Sequence, residues 1–164
     1  MTPTAGYSGT PLPKKLGIAE GSSLALIDAP SRVIDKLPPG VSVKRQARGT
    51  ADVVVAFFTR RRDFERRIDG LAQMVFPSGG LWVAWPKRAS DVQTDMDEGV
   101  VRKVALPLGL VDNKVCAIDE TWSGLRVVWR RERRLTRILK AGLTPPLRGS
   151  NRRIPRGSLE QTDP

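Results

Sequence analysis

Arg60, Arg61 and Arg62 follow directly on the apolar run Val53-Val54-Val55-Ala56-Phe57-Phe58 and Thr59. Adjacent guanidiniums where a strand hands over to a helix can do one kind of chemistry: they hold an anion, and the helix N-terminus adds N–H donors and partial positive charge. Trp85-Pro86-Lys87 ends a second apolar run with an aromatic ring and a cation, and Asp28 and Ser31 follow a third. In an open parallel sheet, ligands gather beyond the C-terminal ends of the strands. The expected anion- or ligand-binding site therefore comprises Asp28, Ser31, Thr59, Arg60, Arg61, Trp85 and Lys87, with Arg62 alongside. The competing reading is a solvated charged turn in which the arginines pair with Asp63 and Glu65.

No catalytic constellation closes. The chain has no histidine and a single cysteine, Cys116. Ser-His and Cys-His nucleophile pairs are thereby excluded, and the usual soft ligands of a transition metal are missing, so no metal and no cofactor is expected. Acid/base work would fall to Asp112, Lys114, Asp119, Glu120 or Tyr7. Of these, the charged residues read as ordinary protection of an edge strand. Cys116, inside an apolar strand, reads as a small hydrophobe.

The second binding surface is set by charge. From Arg126 onward there are eleven Lys/Arg against three acids, +8 of a total of +11, which leaves +3 for everything before. Arg130, Arg131, Arg133, Arg134, Arg137 and Lys140 fall within one prospective helix, and Arg152 and Arg153 follow. Such a tail attracts nucleic acid or an acidic protein face. With no aromatic after Trp129, contact would be to phosphates and independent of sequence. The alternative is a tail that only solubilises. Nothing in the chain suggests a signal peptide or a membrane span, so a cytoplasmic protein without membrane contact is expected. Oligomeric state is not legible.

Hydrophobic patterning supplies the elements that must position these residues. Residues 1–21, rich in Gly, Pro, Ser and Thr, read as an extended arm with one helical turn at most. Ser23 to Asp28 is a short buried strand, Ser31 to Leu37 a short helix before Pro38-Pro39, and Val41 to Arg45 an alternating, half-exposed strand. Asp52 to Phe58 is continuous and β-branched, as in a strand covered on both faces. Thr59 is placed to cap a helix whose apolar face is Phe64, Ile68, Leu71 and Val75. Pro77-Ser78-Gly79-Gly80 ends it, and Leu81 to Trp85 is the next strand, with Trp82 and Trp85 on opposite faces.

A polar loop leads to a second helix, with Asp95 and Glu98 as a capping pair and Met96, Val100, Val104 and Leu108 on its apolar face. Asn113 to Ile118, a turn at Ser123-Gly124, and Leu125 to Trp129 form a closing antiparallel pair. The order predicts a small Rossmann-like α/β domain over residues 22–130: a mostly parallel sheet, a C-terminal antiparallel strand pair, and helices on its faces. Residues 131–164 are expected to be a basic helix and a disordered tail.

Three segments carry a resemblance: Ala5-Gly6-Tyr7-Ser8-Gly9-Thr10-Pro11-Leu12, Gly80-Leu81-Trp82-Val83-Ala84-Trp85-Pro86-Lys87, and Gly109-Leu110-Val111-Asp112-Asn113-Lys114-Val115-Cys116-Ala117. In this order and spacing they resemble the bacterial family called domain of unknown function 3052, over residues 5–128. The resemblance implies no particular activity. In topology, residues 53–129 are similar to the second half of class I methyltransferases, whose fold implies a donor site for S-adenosylmethionine. Three features expected there are replaced. The turn after the first strand is Asp28-Ala29-Pro30-Ser31-Arg32 rather than glycine-rich, Lys44-Arg45-Gln46 stands where an acid would hold ribose hydroxyls, and Thr59-Arg60-Arg61-Arg62 follows the third strand. The sequence thus reads as a non-catalytic Rossmann-like binding or regulatory protein. The alternatives are a nucleic-acid or ribonucleoprotein-associated protein recruited by its tail, and a degenerate group-transfer enzyme.

Overall fold

A computed structural model describes residues 10–133. The chain divides into two units, residues 1–130 and 131–164. The first contains β1 (Ser23–Ile27), β2 (Ser42–Lys44), β3 (Val53–Phe57), β4 (Gly80–Pro86), β5 (Leu110–Ala117) and β6 (Trp122–Trp129) in one sheet of order β2-β1-β3-β4-β6-β5. β1 to β4 pair in parallel, and β6 runs antiparallel to both β4 and β5. This is the expected Rossmann-like, mostly parallel sheet with its antiparallel closing pair. Only two crossovers are helical: α2 (Arg61–Met74) between β3 and β4, and α3 (Glu98–Ala105) between β4 and β5.

Side-chain alternation explains the layering. Ala25, Ile27, Val54, Ala56, Leu81, Val83, Trp85, Leu125, Val127 and Trp129 point to the face covered by α2 and α3, where Phe64, Ile68, Leu71, Val75 and Val101 meet them. Leu24, Leu26, Val53, Val55, Phe57, Trp82 and Ala84 form the opposite face. β3 and β4 are buried along their whole length, as continuous apolar runs require. β2, at the edge, is short and exposed.

The second face is covered differently from expectation. Residues 10–21 are not an extended arm. Leu12–Lys15 forms a single helical turn, α1, and Leu16 and Ile18 are buried against the sheet, while Trp82 Nε1 donates to the Leu16 carbonyl at 2.9 Å. Three aliphatics, Leu12, Leu16 and Ile18, outweigh the surrounding Gly and Pro. The part of the expected arm over residues 1–9, including Tyr7, lies outside the described residues.

The helix expected over Ser31 to Leu37 is absent. The segment runs as turns and extended backbone, with Arg32 in the left-handed region (φ 55°), and contributes Val33, Ile34 and Leu37 to the same layer. The left-handed Arg32 interrupts any run of i to i−4 bonds near its start, and Pro38 disfavours the helical region for the residue before it.

Two other boundaries move. The hairpin turns at Ile118 to Thr121, where the Asp119 carboxylate accepts from the Thr121 and Trp122 N–H groups, both at 2.8 Å. Ser123 and Gly124 instead sit inside β6, paired with Trp85 and Ala84 of β4 on one side and Ala117 and Cys116 of β5 on the other. Position 124 suits glycine because a Cβ there would lie 3.0 Å from Ile118 Cδ1 and 3.2 Å from Trp82 Cε3. Gly79 is required for a related reason: a Cβ there would lie 2.6 Å from the Asp52 carbonyl oxygen, so the chain entering β4 can approach β3 only without a side chain.

Among the described residues, no helix is long and apolar enough to cross a membrane. The second unit is described only at Arg131 to Arg133, a helical, exposed segment. Arg134, Arg137, Lys140, Arg152 and Arg153 lie outside the described residues.

Candidate functional site

Two adjoining clefts open at the C-terminal ends of the strands, and Thr59 lines both. The first, of 430 Å³, is bounded by Asp28, Phe57, Phe58, Thr59, Asp63, Arg66, Arg67 and Trp122. Asp28 stands just past β1 in the left-handed conformation (φ 56°) and accepts from Arg67 at 3.0 Å, while Asp63 accepts from Arg66 at 3.1 Å. Its four charges therefore cancel in pairs. Trp122 supplies the aromatic wall, held edge-to-face by Phe57 with ring centroids 5.0 Å apart.

The second cleft, of 880 Å³, is bounded by Thr59, Arg60, Arg62, Arg88, Val92, Gln93, Thr94 and Asp95. Arg60 takes the N-cap position of α2 and Arg62 lies in its first turn, while Arg88 opens a 3₁₀ turn (Arg88–Ser90) directly after β4. Two hydrogen bonds clamp the 87–95 loop to the start of α2. Thr94 Oγ1 donates to the Thr59 carbonyl at 2.7 Å, and the Arg61 N–H donates to Asp95 Oδ1 at 2.6 Å.

That clamp corrects two expectations. Thr59 does not cap α2; the cap comes from Asp95, thirty-four residues away in sequence. Asp95, so engaged, does not begin α3, which starts later with Asp97 as its cap, accepting from the Val100 N–H at 2.8 Å.

The expected site residues divide accordingly. Arg60 and Thr59 line the cationic cleft, and Asp28 lines the neutral one. Arg61 is withdrawn: its side chain bonds Glu65 at 2.7 Å and lines neither cleft. Ser31 is exposed and also lines neither. Trp85 is 7% exposed on the helix-covered face, so it is core rather than a ligand-facing ring. Lys87 donates its backbone N–H to the Thr121 carbonyl at 2.7 Å, tying β4 to the hairpin, but it lines neither cleft. Arg88, rather than Lys87, lines the cleft beside Thr59 and Arg60. Its signal was the Lys-Arg pair after Pro86, and alternation alone could not say which of the two would turn toward α2.

Three of the acid/base candidates, Asp112, Lys114 and Asp119, have structural partners. Asp112 receives Arg102, which also pairs with Glu98 one helical turn earlier, and the hydrogen bond to Asp112 leads in raising the Arg102 pKa. Lys114 Nζ donates to the Lys15 carbonyl at 3.2 Å, Asp119 holds the hairpin, and Glu120 is exposed. Cys116 is partly buried against the second face, and desolvation pushes its thiol pKa up against the pull of Lys15 and Lys114. Among the described residues, no group of three acids and cysteines is placed to hold a metal ion. Arg130, at the end of β6, is exposed and donates its backbone N–H to the Gly109 carbonyl at 2.9 Å.

No family model and no curated protein matches the chain. Among solved structures, it is similar to the magnesium protoporphyrin IX methyltransferase of Synechocystis PCC 6803 with bound SAH. That alignment has 10% identity and a TM-score of 0.48, covering 68% of this chain and 75% of the other. It is similar also to a SAM-dependent methyltransferase of Aquifex aeolicus, at 11% identity and a TM-score of 0.47, covering 70% of this chain and 85% of the other.

Proposed function

We propose that this protein is a non-catalytic binding module that takes a multiply charged anion in the cleft between the start of α2 and the loop after β4. One observation carries the reading. The other arginines of α2 are paired with acids, Arg61 with Glu65, Arg66 with Asp63 and Arg67 with Asp28, whereas Arg60, Arg62 and Arg88 form no ion pair among the described residues and line one cleft. The single acid there, Asp95, already accepts from the Arg61 N–H. Three guanidiniums against one carboxylate leave the cleft at +2, which suits phosphate or pyrophosphate. We further propose, on the three segments 5–12, 80–87 and 109–117, that the chain is a member of the family called domain of unknown function 3052.

Isothermal titration of the full-length protein with pyrophosphate tests this. Binding is expected, and the double variant Arg60→Ala/Arg88→Ala should weaken it by about a hundredfold or more, the loss of two charge-assisted bonds of about 1.5–3 kcal/mol each. Unchanged binding in the variant would overturn the assignment.

A second reading rests on the charge of +8 carried from Arg126 onward: the tail recruits the protein to nucleic acid. Deleting residues 131–164, which removes nine Lys/Arg and three acids, +6 of that charge, should then abolish retention of DNA and RNA. Equal retention by the shortened chain would exclude it.

A further inference from the structure

We infer that the anion is the phosphate end of a nucleotide, whose base lies in the neutral cleft against Trp122. The inference rests on the anion-binding reading above. The two clefts meet at Thr59 and differ in character. One carries three arginines and a single acid, and the other carries two acids paired to two arginines beside an aromatic wall. A ligand spanning both needs a multiply anionic end and an uncharged, flat end, which describes a nucleoside diphosphate. Volumes of 430 and 880 Å³ exceed what a lone phosphate would occupy and fall in the range of small-molecule sites. Trp122 is suited to a base because Phe57 fixes its ring, and stacking on an aromatic tolerates any base.

The same charges argue against S-adenosylmethionine, which would bring a sulfonium and an ammonium toward guanidiniums. The turn where a donor would need close backbone approach is occupied by the Asp28–Arg67 pair.

Calorimetric titration of the full-length protein at fixed ionic strength with ADP, GDP, pyrophosphate, adenosine and S-adenosylmethionine decides the matter. ADP or GDP should bind at least tenfold more tightly than pyrophosphate, and adenosine and S-adenosylmethionine at least tenfold more weakly than ADP. Trp122→Leu should erase the advantage of the nucleotide while leaving pyrophosphate affinity unchanged, which also reports that the variant is folded. Should that variant fail to fold, nuclear Overhauser contacts between the base protons of ADP and the Trp122 indole of the unaltered protein supply the same test. Nucleotides binding no better than pyrophosphate, or no such contacts, would overturn the inference and leave the anion site standing. If neither nucleotides nor pyrophosphate bind, or if Arg60→Ala/Arg88→Ala binds them as the parent does, both readings fall together.

Discussion

Asp95 does two things at once, and they pull in opposite directions. Its carboxylate satisfies a backbone N–H at the start of α2, and it also sets negative charge among the three arginines of the cleft. Replacing it with alanine should therefore lower stability by about 1 kcal/mol, the usual worth of an N-terminal cap, while strengthening pyrophosphate binding. Thermal denaturation and titration of the one variant measure both signs. Cys116 offers a pH-dependent counterpart. Burial raises its thiol pKa in the folded state, so folding favours the neutral thiol; that contribution is complete below the unfolded thiol pKa and is lost as pH rises through it toward the folded one. Alkylation of the native protein should lag behind that of an unfolded control, with the gap widest in the alkaline range between the two values. At this scale the sequence was a partial guide. It placed arginines at the end of β3, but whether Arg60, Arg61 or Arg62 faced the cleft depended on Glu65 and Asp95 claiming Arg61, and the second of those contacts is long-range.

The elements were most legible where the pattern left no choice. The continuous apolar run of β3 and the four-residue and three-residue spacing of Phe64, Ile68, Leu71 and Val75 each dictated a strand or a helix face that the structure retains. Legibility failed where tertiary contact outvoted composition. Residues 10–21 look like a polar arm, yet Leu16 and Ile18 are buried and the Leu16 carbonyl accepts the Trp82 indole. Truncating Leu16 to alanine should cost about 2–5 kcal/mol in chemical denaturation, the range for a buried leucine. A free arm would give a value near zero. The segment from Ser31 to Leu37 failed in the other direction: it reads as a short helix before Pro38, but Arg32 takes the left-handed conformation and the backbone runs as turns. The start of α3 shifted because the nearer of two aspartates was already engaged elsewhere.

Across the whole molecule, two reservoirs of positive charge are separable by their response to salt. The tail gathers most of the net +11, and association through it with nucleic acid should weaken steeply, with log K falling by roughly 0.9 per phosphate neutralised for each unit of log salt. The cleft bears only +2 and should lose far less over the same range. Measuring DNA retention and pyrophosphate affinity from about 50 to 200 mM salt should yield two distinct slopes. Equal slopes would mean that one surface serves both.

The strand order has a bearing on how the chain is made. β4 finds its second neighbour only in β6, the final strand of the sheet, and β5, although synthesised first, is joined to the sheet solely through β6. Until β6 is made, β4 has no partner along one edge, β5 has nowhere to pair, and Trp122, one wall of the neutral cleft, is missing. The site becomes whole only when the last hairpin closes.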